Sequence, residues 1–534
     1  MNKRFIIFSV GKLLEILALI LLVPAGIAFF EVSVKTFPSI LFDARLLGFI
    51  IAIVSSYVCG SLLKFIGSRE LTGTGIKEGF AIVTFGWIFL TLVGAIPLYV
   101  HFISQVETVT VAVGLRAFTD SYFEIMSGFT TTGATILTDV ETLPRGILFW
   151  RSLTHWLGGM GIVTLALAIL PVFGVASYQM FRGEVPGPAS ERLKPRLAQT
   201  AKILWGVYAV LTVAEVILLK LGGMSFFDSW CHAFGTMATG GFSTKNASIA
   251  AYNSAYIDWV IIIFMFFAGM NFIIHYQILF ARKWTLIRHN QEFHFYAAVL
   301  IIAILLCTVV LQTNGIAPVE QITQSFRNQP LSQDVLTDKM VTEATKIRTP
   351  LNTLRYAAFQ IVSITTTTGY ATADFDMWPN FVRFLLVVLM FFGGCAGSTG
   401  GGMKMIRIMV GAKTAWREVK TLIQPRIILP IKIEGKELKE KQVANIIGFI
   451  SLFLGCFVIL CGIMSYLIDD FTTAITSVVA TMCNIGPGLS GIGATENYAW
   501  IPISGKWVLS LCMLLGRLEI YTVLIAFSPI IWKK

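Results

Sequence analysis

The chain has 534 residues, of which 55% are hydrophobic and 13% charged, with a mean hydropathy of +0.75. A soluble protein carries about twice that charged fraction, so a water-soluble globular fold is excluded. The formal charge of +11 does not point to nucleic acid. When spans alternate from an inside amino terminus, most Lys and Arg fall on the inner side, the positive-inside asymmetry with both termini cytoplasmic.

In chain order, apolar runs long enough for a bilayer core of roughly 20 residues occur at 5–30, 46–66, 79–100, 148–173, 202–222, 257–281, 293–313, 381–408, 442–468 and 505–532. The first run is interrupted by Lys12 and Glu15 and has no small-residue cleavage site, so it reads as a retained helix and not a signal peptide. The eight cysteines lie in apolar or membrane-proximal segments, which gives no disulfide framework. The pattern predicts an all-α, multi-pass membrane protein.

Four of the outer segments hold a short half-apolar stretch ending in a polar glycine turn. They read "FTDSYFEIMSGFTTTGAT" (118–135), "FDSWCHAFGTMATGGFST" (227–244), "LRYAAFQIVSITTTTGYA" (354–371) and "FTTAITSVVATMCNIGPG" (471–488). Aligned, they bring Gly133, Gly240, Gly369 and Gly486 to one position. This is a degenerate fourfold repeat of helix, re-entrant pore loop and helix. The units are 78–200, 201–290, 291–440 (with an outside insertion at 314–350) and 441–534, after an extra two-helix domain at 1–77.

Non-helical backbone survives at membrane depth only where protein surrounds it or water lines it. A re-entrant helix ending in such a turn aims its free carbonyls and negative dipole end ahead of it. Four around one axis form rings of carbonyl oxygens that replace the hydration shell of a monovalent cation. The candidate ligands, through backbone oxygen, are Thr131 and Thr132, Ala238 and Thr239, Thr367 and Thr368, and Asn484 and Ile485, each followed by its glycine. Threonine hydroxyls would fasten the turns through local side chain–backbone bonds. A single copy reads as a re-entrant half helix with no ion site; the fourfold repetition is what favours a filter. Asp120, Asp228 and Asp470 sit near the starts of three re-entrant helices, where capping explains them. Glu124 would support the filter from behind.

In the third unit, "FFGGCAGSTGGGMKM" carries glycine at Gly393, Gly394, Gly397, Gly400, Gly401 and Gly402. Each costs a helix about 1 kcal/mol relative to alanine, so two half helices joined by a crossing segment are expected. Close helix packing through small residues is the alternative; a mobile barrier beneath the filter is the preferred reading. Ser398 and Thr399 would line that barrier, and Lys404 would mark its cytoplasmic end. In the last apolar run Arg517 lies far from either end, and a charge so deep is a functional candidate by default. An ion pair with an acid on another helix is the alternative, Glu519 being badly placed on the same helix.

These motifs ("TTTGAT", "MATGGFST", "TTTTGYATADF", "NIGPGLSGIG", the glycine run and the arginine) resemble the Trk/Ktr/HKT superfamily of potassium transporters, and the leading helix pair resembles its TrkH/TrkG branch. The resemblance covers nearly the whole chain. It implies a homodimer in the bacterial plasma (inner) membrane, one pore per protomer, and potassium uptake controlled by a cytosolic nucleotide-binding subunit of the TrkA type. It also implies glycine at all four filter positions for potassium preference. The glycine run would be the intramembrane gate, with Arg517 repelling cations in the path below the filter.

No HExxH, GxSxG or P-loop motif occurs, and the six histidines show no metal spacing, so no cofactor is expected in this chain; nucleotide would act only through the partner. Two rivals stand beside a gated channel: a sodium- or proton-coupled symporter of the same fold, and, remotely, a membrane-embedded enzyme.

Overall fold

The computed structural model describes residues 1–32, 43–68, 76–161, 197–282, 285–317, 333–427 and 429–532. The inner half of the 148–173 run, most of the expected cytoplasmic segment 174–202 and the middle of the 314–350 insertion lie outside the described residues.

Among the described residues the fold is helical, with one short hairpin pairing Lys432 with Glu437 and Ile433 with Lys436. The extra helices, Lys3–Val32 and Ala44–Ile66, touch backbone to backbone where a Cβ on Gly11 would stand 2.6 Å from the Gly60 carbonyl oxygen, and one on Gly60 2.7 Å from that of Gly11. The charges that interrupt the first run are neutralised there. Glu15 pairs with Lys12 at 2.8 Å and with Lys64 of the second helix at 2.7 Å. Large apolar side chains such as Phe30, Phe65, Val458 and Tyr466 face outward, as lipid-facing positions should.

Each of the four units starts with a long helix: Ile76–Gly94 continued by Ile96–Ser104, then Leu197–Leu221, Gln291–Asn314 and Glu440–Leu467. A pore helix follows in each: Val111–Phe129, Phe226–Met237, Pro350–Thr365 and Phe471–Met482. Their N-caps are Thr110, Ser225, Thr349 and Asp470, whose side chains accept backbone N–H groups of the first turn. Asp228 and Asp470 thus sit at helix starts as expected. Asp120 does not, because its helix begins at Val111; it pairs instead with buried Lys506 of the fourth unit at 2.6 Å.

The closing helices differ from the sequence expectation. Among the described residues six helices are long and apolar enough to span, and two of the expected runs are bent pairs. Ala255–Ala268 turns by 105° into Phe272–Leu279, and Ile503–Arg517 turns by 114° into Ile520–Phe527. The 381–408 run, by contrast, splits as its glycines predict, into Asn380–Met390 and Met405–Ile423 around the glycine segment. In the first unit the described helix ends at Gly159. An apolar window reports composition and is blind to such breaks.

Candidate functional site: a fourfold carbonyl ring and the loop beneath it

The four pore helices end in one repeated turn. After the C-caps Thr130, Ala238, Thr366 and Cys483, the next residue is left-handed in every copy: Thr131 (φ 52°), Thr239 (54°), Thr367 (62°) and Asn484 (56°). The following N–H reaches back five residues: Thr132 to Ser127 (2.8 Å), Gly240 to Gly235 (2.7 Å), Thr368 to Ser363 (2.8 Å) and Ile485 to Ala480 (2.8 Å). A glycine with positive φ comes next: Gly133 (80°), Gly241 (82°), Gly369 (80°) and Gly486 (99°).

This corrects the alignment of the second copy by one residue. Its equivalent glycine is Gly241, not Gly240, and its turn is Thr239-Gly240-Gly241, with Ala238 left as the helix cap. Of the two adjacent glycines only Gly241, the residue after the back-bonded Gly240, takes a positive φ, as Gly133, Gly369 and Gly486 do.

The turns close into a ring. A Cβ on Gly133 would fall on the carbonyl oxygen of Gly240, one on Gly241 on that of Thr368, and one on Gly369 on that of Ile485. A Cβ on Gly486 would lie 2.7 Å from the carbonyl oxygen of Thr132, which returns the circuit to the first copy. Side chains tie the turns. Thr130 Oγ1 bonds the Met126 carbonyl (2.6 Å) and Thr132 Oγ1 (2.8 Å), and Thr366 Oγ1 bonds the Val362 carbonyl and Thr368 Oγ1, both at 2.8 Å. Asn484 Nδ2 donates to Thr132 Oγ1 at 2.9 Å, linking the fourth copy to the first. Threonine therefore recurs because it holds the turn from its own side.

Behind the ring, one pore-helix position carries a polar strut in three copies. Glu124 accepts from Thr135 Oγ1 and the Ile136 N–H, both at 2.9 Å, and pairs with Arg151 at 2.7 Å, both side chains buried. His232 Nε2 meets Ser243 Oγ at 3.0 Å. With its amide oxygen toward the outgoing strand, Gln360 accepts from Thr372 N–H at 2.8 Å. The chemistry varies, but each group braces the strand leaving the ring.

The glycine segment crosses just below. Gly401 N–H donates to Thr367 Oγ1 at 2.7 Å, and a Cβ on Gly400 would lie 3.1 Å from the Thr366 carbonyl oxygen. Thr399 Oγ1 donates to the carbonyls of Met237 (3.0 Å) and Ala268 (3.2 Å). The limbs close through Gly393 N–H to Met403 O (2.8 Å) and Met405 N–H to Gly394 O (3.2 Å). Lys404 caps Met405–Ile423, and its ammonium bonds the Gly400 carbonyl and, at 3.3 Å, Ser398 Oγ. Arg517, at the bend between Ile503–Arg517 and Ile520–Phe527, donates to the carbonyls of Thr399 (2.6 Å), Gly159 (3.0 Å) and Gly158. Glu519 pairs with Arg407 at 2.8 Å.

A cavity of about 130 Å³ lies on the side of the ring away from the crossing segment, the expected outer side, and is lined by all four ring glycines. A second, of about 170 Å³, lies beyond the crossing segment on the expected inner side and is lined by Ser398, Gly400, Gly401, Gly402, Lys404 and Arg517. Ring and crossing segment therefore stand in series between two cavities.

The TrkH family model, described as a cation transport protein, matches residues 47–534. The chain belongs to the TrkH family. It is 38% identical over 477 residues to the Trk system potassium uptake protein TrkH of Salmonella typhimurium, covering 89% of this chain and 90% of that one. Against the TrkH protein of Halomonas elongata it is 36% identical over the full length of both. The crystal structure of the potassium transporter TrkH from Vibrio parahaemolyticus matches all of both chains with a TM-score of 0.80 at 32% identity. Membership in this family makes the chain a transporter and not an enzyme.

Sequence reasoning missed the breaks in the second and fourth closing helices. Their signal is a glycine followed by a large residue at the break: Gly269-Met270 and Gly516-Arg517.

Proposed function

We propose that this chain takes up potassium through the carbonyl ring, as a multi-pass protein of the bacterial inner membrane with both termini cytoplasmic. Potassium uptake is what its full-length relatives are named for. The ring acts as a filter in which backbone oxygens of the four turns replace the ion's water. The residues are Thr131 and Thr132 with Gly133, Thr239 and Gly240 with Gly241, Thr367 and Thr368 with Gly369, and Asn484 and Ile485 with Gly486. The observation that carries this reading is the closed circuit of glycine against neighbouring carbonyl across all four copies.

The crossing segment from Gly393 to Lys404 is the gate, pinned shut by Arg517. Its contacts with Thr366 and Thr367 above and its exposure to the inner cavity below support that role. The arginine works through hydrogen bonds as well as charge, since a guanidinium presents several donors in a fixed fork. The four units at 78–200, 201–290, 291–440 and 441–534 each supply one quarter of the ring. A homodimer and control by a cytosolic nucleotide-binding subunit of TrkA type belong to the same proposal. The exposed basic surface of Lys420, Lys432 and Lys436 suits such a partner.

The test is rubidium uptake into liposomes holding the purified chain, with sodium or potassium as competitor and with or without the cytosolic partner. Uptake suppressed by potassium and indifferent to equal sodium is expected. Equal suppression by both ions refutes the filter.

A further inference from the structure

The proposed gate leaves one buried acid unused. Glu292 stands in the first turn of Gln291–Asn314 and is 7% exposed. Its Oε1 accepts from the Ala396 N–H at 2.7 Å and from the Ile406 N–H at 3.1 Å. Ala396 belongs to the limb entering the crossing segment, and Ile406 to the first turn of the helix leaving it. One carboxylate oxygen therefore ties the two limbs together at their base. The N–H of Ile406 is among the donors that a helix start leaves without an intrahelical partner, and Lys404 at the cap offers it no side-chain acceptor. Glu292 supplies that acceptor from another helix.

The same anchor reaches the cytoplasmic hairpin. Asn290 caps the Glu292 helix through Phe293 N–H (2.7 Å) and donates its amide to Glu434 in the hairpin turn at 2.8 Å. Lys413 bonds Gln291 Oε1 (3.1 Å) and the Lys432 carbonyl (2.8 Å). Below the crossing segment, Ala396 and Ile406 share a small apolar core with Ile431, Ile433 and Leu438 of the hairpin.

We infer that Glu292 is a positioning residue that holds the crossing segment in its closed place, and that the hairpin at 432–437 bears on the segment through this anchor. The inference rests on reading the segment as the barrier. Displacing the hairpin draws on Asn290 and the shared core, loosens both bonds at the Glu292 oxygen, and frees the limbs to part.

Two variants separate the inference from the reading beneath it. In liposomes without any partner, deletion of Gly400, Gly401 and Gly402 tests the barrier, and Glu292→Ala tests the anchor. Removing the shared acceptor of two buried N–H groups should raise basal rubidium influx on the order of tenfold, with the rubidium-to-sodium ratio unchanged. Glu292→Gln keeps an acceptor oxygen of the same reach and should leak clearly less than Glu292→Ala. A leak from the deletion with none from Glu292→Ala overturns the anchor and leaves the barrier standing. No leak from either overturns both. A changed ion ratio in Glu292→Ala, or equal leak from Glu292→Gln, also overturns the anchor. Should Glu292→Ala fail to purify as monodisperse protein, Glu292→Asp, whose carboxylate falls one methylene short, replaces it with the same readings.

Discussion

Substituting Gly369 by serine perturbs the ring at a single carbonyl. Gly369 has φ 80°, and a Cβ there falls on the Ile485 carbonyl oxygen and lies 2.9 Å from Pro487 Cδ. The left-handed conformation alone costs a non-glycine residue about 1–2 kcal/mol, too little to prevent assembly. The overlap is the larger effect, because carbon and oxygen settle at roughly 3.3–3.6 Å, so the carbonyl must retreat by about 1.5 Å. Half a charge moved from about 2.8 to about 4.3 Å from a cation loses about 1 kcal/mol at an effective dielectric near 20. One oxygen in a ring of four then holds the ion several-fold less firmly, and the ring no longer matches a single ion size. Gly369→Ser should therefore fold, and its potassium-over-sodium preference should drop about fivefold to tenfold, about 1–1.4 kcal/mol. Competition of sodium and potassium against rubidium uptake in liposomes measures it. A monodisperse variant with unaltered competition refutes the carbonyl ring as the selective element.

Gly241→Ser should reproduce the Gly369→Ser loss of preference in the same assay. An unaltered preference there means that the second turn has been placed one residue out. Arg517→Ala and Arg517→Lys should both raise basal flux, on the order of tenfold, since an ammonium cannot span the carbonyls of Thr399, Gly158 and Gly159 together; a tight lysine variant means that charge alone suffices. Glu124→Ala strands buried Arg151 and should lower stability by about 3–5 kcal/mol, read as a fall in thermal midpoint in detergent. Replacing Arg151 by leucine as well should recover part of that loss, and no recovery refutes the pair as the cause.

Membrane architecture and fourfold repetition were legible in the sequence because both rest on composition and spacing. Lys12 and Glu15 were readable as interruptions, but their partner Lys64 was not, being on another helix. The register of "ATGGFST" was ambiguous because either adjacent glycine satisfies a motif. Only the backbone distinguishes Gly241, with positive φ, from Gly240, where a Cβ would instead meet the His155 ring. Asp120 misled because the helix start was sought near the apolar stretch, while Thr110 caps it ten residues earlier. Glu292 carried no signal beyond an acid in a first helical turn, a placement that the helix dipole favours anyway.

The position of Arg517 follows from the broken helices themselves. A helix that stops inside the membrane leaves its last carbonyls without donors, and each unmet group there costs several kcal/mol. Gly158, which has the Met160 N–H of its own cap, and Gly159 close the first unit's helix, and the Thr399 carbonyl lies in the crossing segment, so one donor group can serve all three. Arg517 reaches all of them from the end of its own helix, where a cation also suits the dipole. In the proposed gate, opening removes Thr399 from this set and must supply another donor. The inner cavity is where water can do so, without any new protein contact. On that proposal the open pore would be wet at the level of Gly158 and Thr399, and closing would exchange those waters for one guanidinium. A larger apolar side chain at Ser398, which lines that cavity, should bias the gate shut by excluding the exchanging water. Ser398→Leu that conducts as freely as the unsubstituted chain, with its partner bound, would sink the exchange.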